Sequence, residues 1–458
     1  MKIIDIYRRC LNGEEMNEND YDINVVFPAM MQMAQKYNIK YNSEDPVSSD
    51  DDLADRVFEA ALEFFVHAGM YCQDTGRVVK FTKEEVLYAI SESARPRCIG
   101  GEKESRREWR CRKPDENSRP WCHIGSGIYT SNDDLFLKLV EGYARIDRAD
   151  SMAIPTLMND PDGQGDPNVP FHPSEVMACI HNMKLARKAT ENAGRPGFPV
   201  FNVVPASGGP VSTLAASHPN CGTRTSDGWL CAFYPEYKLK MDTLNKICFL
   251  QEIGGNIAGE ASTLLGGYCG GPEGIAVGVT AYAMMSCMLG AQYFLNFPVT
   301  LKGAISTSRP LLWGLGLGSQ AISRNIHLPT YNSGYSAAGA GTKEYFYQSA
   351  AYILTGVTSG VTTGTPFPAA GVKMDGMTPL EARFHTEMAD AARQLTRAQA
   401  SPIVVKLLEK YEHTLDTPDL GMTYPELFDL DTNTPKAFYQ KMYEEVKADL
   451  VELGVPIK

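Results

Sequence analysis

The residue of this chain best placed to do chemistry is a carboxylate on an apolar run. Glu260 opens Glu260-Ala-Ser-Thr-Leu-Leu-Gly-Gly-Tyr268, which otherwise reads as a strand entering a glycine-rich exit. A carboxylate is seldom buried without a partner or a task, so Glu260 is either half of a structural ion pair or a working group. As a working group it gains basicity from desolvation, which suits it to donate a proton or to hold an ammonium ion. Tyr335 is the second such residue, in the loop Asn332-Ser-Gly-Tyr-Ser-Ala-Ala-Gly339. Its phenol can hydrogen-bond and its ring can face a cation; a tyrosine that only caps the fold is the alternative. A third place is Val200-Phe201-Asn202-Val203-Val204, a short run of strand formers closed by Pro205 and the turn Gly208-Gly209-Pro210. Successive strand side chains point to opposite faces, so only one of Phe201 and Asn202 can look into a site.

Other features carry less. The runs at Gly254-Gly-Asn, Gly266-Gly-Tyr-Cys-Gly-Gly271 and Gly314-Leu-Gly-Leu-Gly318 fit neither a dinucleotide loop nor a P-loop in its proper context. Cys98, Cys111, Cys122 and His123 match no common zinc spacing, so no metal is expected. His67 and His327 stand alone and read as structural.

The elements that must position these residues alternate strand and helix. Candidate strands fall at 121–129, 153–157, 200–204, 229–233, 260–264, 294–300, 325–329 and 356–363, with amphipathic or small-residue helices between most of them. Eight such units over residues 121–372 predict a (β/α)8 TIM barrel, an α/β fold whose ligands bind at the carboxyl ends of the strands. Residues 1–120 read as a helical extension. In it Ser48-Ser-Asp-Asp-Asp-Leu53 and Thr82-Lys-Glu-Glu85 start helices, and 95–119 is a polar surface excursion. Residues 373–458 read as helices packed on the barrel, at 380–400, 402–412 and 435–453.

Composition bounds the partners. A net charge of −12 argues against nucleic acid and anionic membrane, and fits small cations or basic protein patches. The longest small-apolar stretch, 274–297, contains Gly, Pro, Gln and Asn and reads as a buried helix and strand rather than a membrane span. Eleven cysteines without regular spacing, behind an amino terminus with no apolar signal core, predict a cytoplasmic protein with reduced thiols.

Four segments carry a resemblance. Gly69-Met-Tyr-Cys-Gln-Asp-Thr-Gly-Arg-Val-Val-Lys80, Gly194-Arg-Pro-Gly197, Leu265-Gly-Gly-Tyr-Cys-Gly-Gly271 and Met377-Thr-Pro-Leu-Glu-Ala-Arg383 resemble, in order, segments of the monomethylamine:corrinoid methyltransferase family. The resemblance implies a TIM barrel that moves a methyl group from an amine to Co(I) of a corrinoid held by a separate partner protein. No cofactor is then bound tightly by this chain, and the default assembly is a homo-oligomer, a hexamer. It puts Glu260 on the family's active-site glutamate and Tyr335 on its active-site tyrosine. Three positions depart from the family. Phe201, beside Asn202, takes the pyrrolysine place, Ser333 replaces a glutamine, and Leu230 falls near a second glutamate, with Asp227 nearby and able to compensate.

Without pyrrolysine no electrophile is available to capture methylamine as an imine. The resemblance then implies demethylation of a quaternary or otherwise substituted N-methyl cation, seated against Phe201, Tyr335 and Trp229 and opposite Glu260. The alternative is a barrel that has lost turnover and serves as a binding or scaffold protein.

Overall fold

The computed structural model describes residues 2–93, 97–101, 105–125, 128–157, 169, 172–201 and 210–458. Eight short parallel strands close a barrel in chain order: β1 (Cys122–Ile124), β2 (Ser151–Met152), β3 (the bridging residues Val200 and Phe201), β4 (Gly228–Ala232), β5 (Asn256–Ala261), β6 (Tyr293–Asn296), β7 (Thr330–Asn332) and β8 (Thr362–Gly364). Closure runs through Met152–Val200 and Phe201–Gly228 on one side and Thr363–Cys122 on the other. A helix follows each strand: α1 (Asp133–Ala144), α2 (Pro173–Asn192), α3 (Pro210–Ala216), α4 (Met241–Glu252), α5 (Pro272–Met288), α6 (Arg309–Asn325), α7 (Lys343–Thr358) and α8 (Pro379–Ala392). The expected TIM barrel is therefore the architecture found.

Some of the helices start where the sequence supplies caps. Asn132 accepts from Leu135 N at 3.0 Å, and Thr378 forms a capping box with Glu381 at the head of α8. Every residue of α5 from Gly274 to Met288 is buried, because α6 and the extension helices Asp51–Ala68 and Lys83–Ser93 pack around it. That explains the long apolar stretch: a helix buried on all sides is apolar on all sides. Among the described residues no helix is long and apolar enough to cross a membrane.

Several boundaries differ from the expectation. Residues 325–329 are the end of α6 and a loop, and β7 begins at Thr330. Residues 356–358 complete α7 despite β-branched Val357 and Thr358; the chain turns at Gly360, φ +89°, before β8. The expected strands 260–264 and 294–300 each split in two, with Leu264–Leu265 pairing Val299–Thr300 beyond the ends of β5 and β6. The stretch 380–400 is interrupted at Thr396, which caps a separate helix, Arg397–Tyr411. Residues 202–204 of the third expected strand lie outside the described residues.

The first 120 residues are not purely helical. Glu14–Glu15, Met70–Cys72 and Arg77–Val79 join Lys238–Leu239, from the β4–α4 connection, in a four-stranded sheet. Lys238 locks this junction through Asp22 at 2.7 Å and Glu18 at 3.0 Å. The 95–119 stretch is also no surface excursion. Arg97–Ile99 and Arg107–Trp109 form an antiparallel hairpin, and its Trp109 is driven into the amino end of the barrel. There Trp109 stacks on Trp121 with ring centroids 4.9 Å apart and planes 1° from parallel. Trp109 stands between Glu108 and Arg110, and the basic composition around it hid the hairpin.

Candidate active site

Pleating decides which strand residues see the barrel interior. Leu230, Ala258, Tyr293, Leu295 and Tyr331 turn inward and pack with Phe201, Trp109 and Trp121. The ring of Phe201 needs a glycine opposite: a Cβ on Gly228 would lie 2.1 Å from it. Phe201 meets Trp109 at 5.5 Å, Tyr293 at 5.2 Å and Tyr331 at 5.8 Å, each edge to face, so the lower barrel is a closed aromatic floor.

Above that floor is a cavity of about 130 Å³ at the carboxyl ends of the strands. Glu260, near the end of β5, and Tyr335, just past β7, both line it, together with Phe201, Leu230 and Ser333. Its remaining walls are His123, Gly125, Ala153, Leu295, Phe297, Tyr331 and Phe367. A larger groove of about 930 Å³ lies outside the barrel, between helix Phe27–Lys36 and the start of α5. It lacks the convergence of strand ends, so the smaller cavity is taken as the candidate site.

Tyr335 is firmly held. Its N–H donates to Ser306 Oγ at 3.1 Å, its carbonyl accepts from Ser306 N at 2.8 Å, and its ring stacks on Phe367 with centroids 4.6 Å apart. Burial, then the charge of Glu260, pushes the Tyr335 phenol up to about 12. The same two causes raise Tyr331 well above the ordinary phenol range. Both rings are therefore neutral, and both feel a carboxylate charge at the site. Behind the wall, Lys246 on α4 is buried; desolvation lowers its pKa while Cys231, Glu260, Cys179 and Glu175 oppose the shift.

His123 was not anticipated as a site residue. It is 5% exposed, lines the cavity, and lies 4.9 Å from the ring of Tyr331. Burial pushes its imidazole down to about 3, so it is neutral. Its spacing from Trp121 in Trp121-Cys-His-Ile124, two residues on and hence the same strand face, was the available signal.

Two expected site residues lie elsewhere. Trp229 follows the opposite pleat to Leu230; it packs over Gly255 and donates its indole hydrogen to Ser217 Oγ at 3.1 Å. Asp227 sits just before β4, at the amino end, where it pairs with buried Arg187 and accepts from Val200 N at 3.0 Å and Arg224 N at 2.8 Å. It is a structural clamp and cannot compensate for Leu230 inside the barrel. Asn202 lies outside the described residues. Among the described residues no three His, Cys, Asp or Glu side chains come together as metal ligands.

Comparison with known proteins agrees with this architecture along the whole chain. The family model described as monomethylamine methyltransferase MtmB matches residues 1–455. Monomethylamine methyltransferase MtmB2 of Methanosarcina acetivorans is 28% identical over 459 residues, covering 98% of this chain and 97% of that protein. MtmB1 of Methanosarcina barkeri is 27% identical over 460 residues, with the same coverage. The crystal structure of the M. barkeri monomethylamine methyltransferase superposes with a TM-score of 0.94 at 25% identity, over 99% of this chain and 98% of that one. A crystal structure of the hydroxylamine MtmB complex matches equally, at a TM-score of 0.94 and 25% identity over the same shares of the two chains. From end to end, in sequence and in fold, this chain belongs to the monomethylamine methyltransferase MtmB family.

Proposed function

We propose that this family member takes a methyl group from a small cationic N-methyl compound, quaternary or substituted, and passes it to Co(I) of a corrinoid carried by a partner protein. The observation that carries the reading is the make-up of the cavity, a carboxylate (Glu260) among the aromatic faces of Phe201, Tyr331, Tyr335 and Phe367. Such a box attracts a cation, each aromatic face contributing roughly 0.5–2 kcal/mol. Phe201 stands where the resemblance puts pyrrolysine and offers no electrophile for an amine to add to. The methylated nitrogen must then arrive already positive, so that when the C–N bond breaks its electron pair stays on nitrogen and a neutral amine departs. An uncharged amine would have to leave as an amide anion.

The residues of this chain bind, orient and desolvate. Glu260 holds the positive nitrogen, and the rings exclude water and fix its methyl groups in position. A cavity of about 130 Å³ has no room for a corrin macrocycle, which supports a reading in which the acceptor meets the barrel mouth from outside. When bound there, the corrinoid supplies the nucleophile that accepts the methyl group. Exposed Ile4, Tyr7, Leu11, Ile23 and Phe27 on the amino-terminal extension fit a self-assembling surface, in keeping with a homo-oligomer, a hexamer by resemblance. The described cysteines are all free thiols, in keeping with a cytoplasmic protein.

The test is methyl transfer to a Co(I)-corrinoid protein across a panel of N-methyl, O-methyl and S-methyl compounds. Quaternary or substituted N-methyl cations should methylate cobalt and monomethylamine should do so poorly. Rates with monomethylamine equal to those with quaternary amines would refute the reading.

A further inference from the structure

Three buried side chains on one face of α7 grip the loops that carry the stacked rings of Tyr335 and Phe367, and none of the three lines the cavity. Tyr345, Gln348 and Tyr352 recur at spacings of three and four, which puts them on one side of the helix, and each is 0% exposed. Tyr345 donates its hydroxyl to Pro366 O at 2.9 Å, next to Phe367, and Tyr352 donates to Ser333 O at 2.7 Å, two residues before Tyr335. Gln348 stands between them. Its Oε1 accepts from Ala337 N at 2.7 Å and from Thr307 Oγ1 at 3.0 Å. The Ser336 hydroxyl, 2.8 Å from the same oxygen, has one hydrogen to give either to it or to Ala338 O at 3.0 Å. The amide cannot be turned round, because the backbone N–H of Ala337 can only donate and needs an oxygen opposite it.

We propose that Gln348 is a positioning residue of the candidate site, setting where the Tyr335 ring stands without touching the ligand. Tyr335 is clasped through its N–H and carbonyl to Ser306. The one Gln348 oxygen binds Thr307, the residue after Ser306, and Ala337, two residues after Tyr335, and so ties the β6–α6 loop to the β7–α7 loop around that clasp. Phe367 belongs to the same assembly: Ser336 N donates to Phe367 O at 2.9 Å and Phe367 N donates to Gly334 O at 2.7 Å. The other end of the amide shows that the oxygen is what matters. Gln348 Nε2 is buried with no partner among the described residues, a costly arrangement that an apolar side chain would avoid. The inference rests on the cationic reading of the site given above. The attraction between a cation and a ring weakens as the ring moves off, so loss of the acceptor on α7 is felt as lost affinity in the cavity.

Calorimetric titration of the whole chain with tetramethylammonium tests this. Gln348→Met keeps the length and removes the acceptor, and it should weaken binding about tenfold, the scale of one displaced aromatic face. Gln348→Glu keeps an oxygen facing the Ala337 N–H whether or not it ionises, and should bind within about twofold of the parent or more tightly. In a Tyr335→Leu chain, already weakened, Gln348→Met should cost less than about twofold more, because the ring it positions is gone. Should Gln348→Met fail to fold, Thr307→Val removes one donor and leaves Gln348 in place; its smaller loss should likewise vanish in the Tyr335→Leu chain. A Met variant that loses stability but keeps its affinity makes Gln348 structural and overturns the inference. So does a Glu variant as weak as the Met variant, or an equal loss with and without the Tyr335 ring. If the parent binds no tetramethylammonium, the cationic reading fails and this inference falls with it.

Discussion

Glu260 stands directly across from Leu295 in the β5–β6 register, one inward step beyond the pair Ala258–Tyr293. The carboxylate thus has apolar register partners on both sides, Leu295 on β6 and Ala232 on β4. Glu260→Gln keeps the shape and removes the charge. With a permanently cationic substrate the loss should fall mainly on KM, whereas loss of a proton donor to a substituted amine should fall on kcat, by about 10²–10⁴-fold. Steady-state methyl transfer by the variant decides between the two. Both parameters within about twofold of the parent, well short of a tenfold effect at ~1.4 kcal/mol, would make Glu260 structural.

Tyr331→Phe should stabilise the free protein. The substitution removes a buried hydroxyl that has no partner among the described residues, a group that costs about 1–3 kcal/mol. A melting temperature at or above that of the parent is expected; a clear fall would mean that the hydroxyl is satisfied in solution.

Gly228→Ala should destabilise by about 1–3 kcal/mol or more, because the added methyl would lie 2.1 Å from the Phe201 ring. Phe201→Leu in the same chain should recover part of the loss, since the two side chains compete for one volume. Denaturant unfolding of the two single variants and the double variant measures the coupling, and strict additivity would contradict the packing described.

A buried acid predicts a pH dependence of stability. Glu236 is fully buried in the β4–α4 connection, accepts from Cys269 Sγ at 3.2 Å, and burial pushes its pKa up to about 7. The folded state thus holds a proton that the unfolded state has already released above its ordinary value of 4.5. This group therefore leaves stability untouched below about 4.5 and erodes it as pH rises toward 7, by at most on the order of 3 kcal/mol, after which the effect levels off. Asp22 reinforces the shift and Lys238 opposes it. Glu236→Gln should accordingly raise the melting temperature more at pH 8 than at pH 4.5; an equal change at both would show that Glu236 is not protonated in the fold.

Much of the barrel was legible because strand and helix patterns alternate along the chain, some units carrying their own punctuation, such as Asn132 before α1 or Thr378 before α8. Boundaries failed where local preference and packing disagree: Val357 and Thr358 favour strand alone but end a helix buried beneath neighbouring helices. Glu260 stood out as a charge on an apolar run. Choosing between Trp229 and Leu230 required the register, since adjacent residues face opposite sides and no residue type reveals which side is inside. Asp227 misled because nearness in sequence to β4 does not say which end of the barrel a residue occupies. Trp109 and the hydrogen bonds of Ser151 with Trp121 and His123 could not be read at all, because they join segments whose meeting only closure of the barrel creates.

The tryptophan stopper at the amino end turns the barrel into a dead-end chamber. Among the described residues, Trp109 and Trp121 pack against Phe201, Tyr293 and Tyr331 and fill the barrel beneath the cavity. On the function proposed above, the methyl donor and its acceptor would both come to the carboxyl-end mouth. On that proposal, the small molecule would have to be inside before a large acceptor covered the mouth, and the spent amine could not leave until that cover lifted. Such a chamber enforces a queue, so the kinetics should be of compulsory order, with the small substrate first in and its remnant last out.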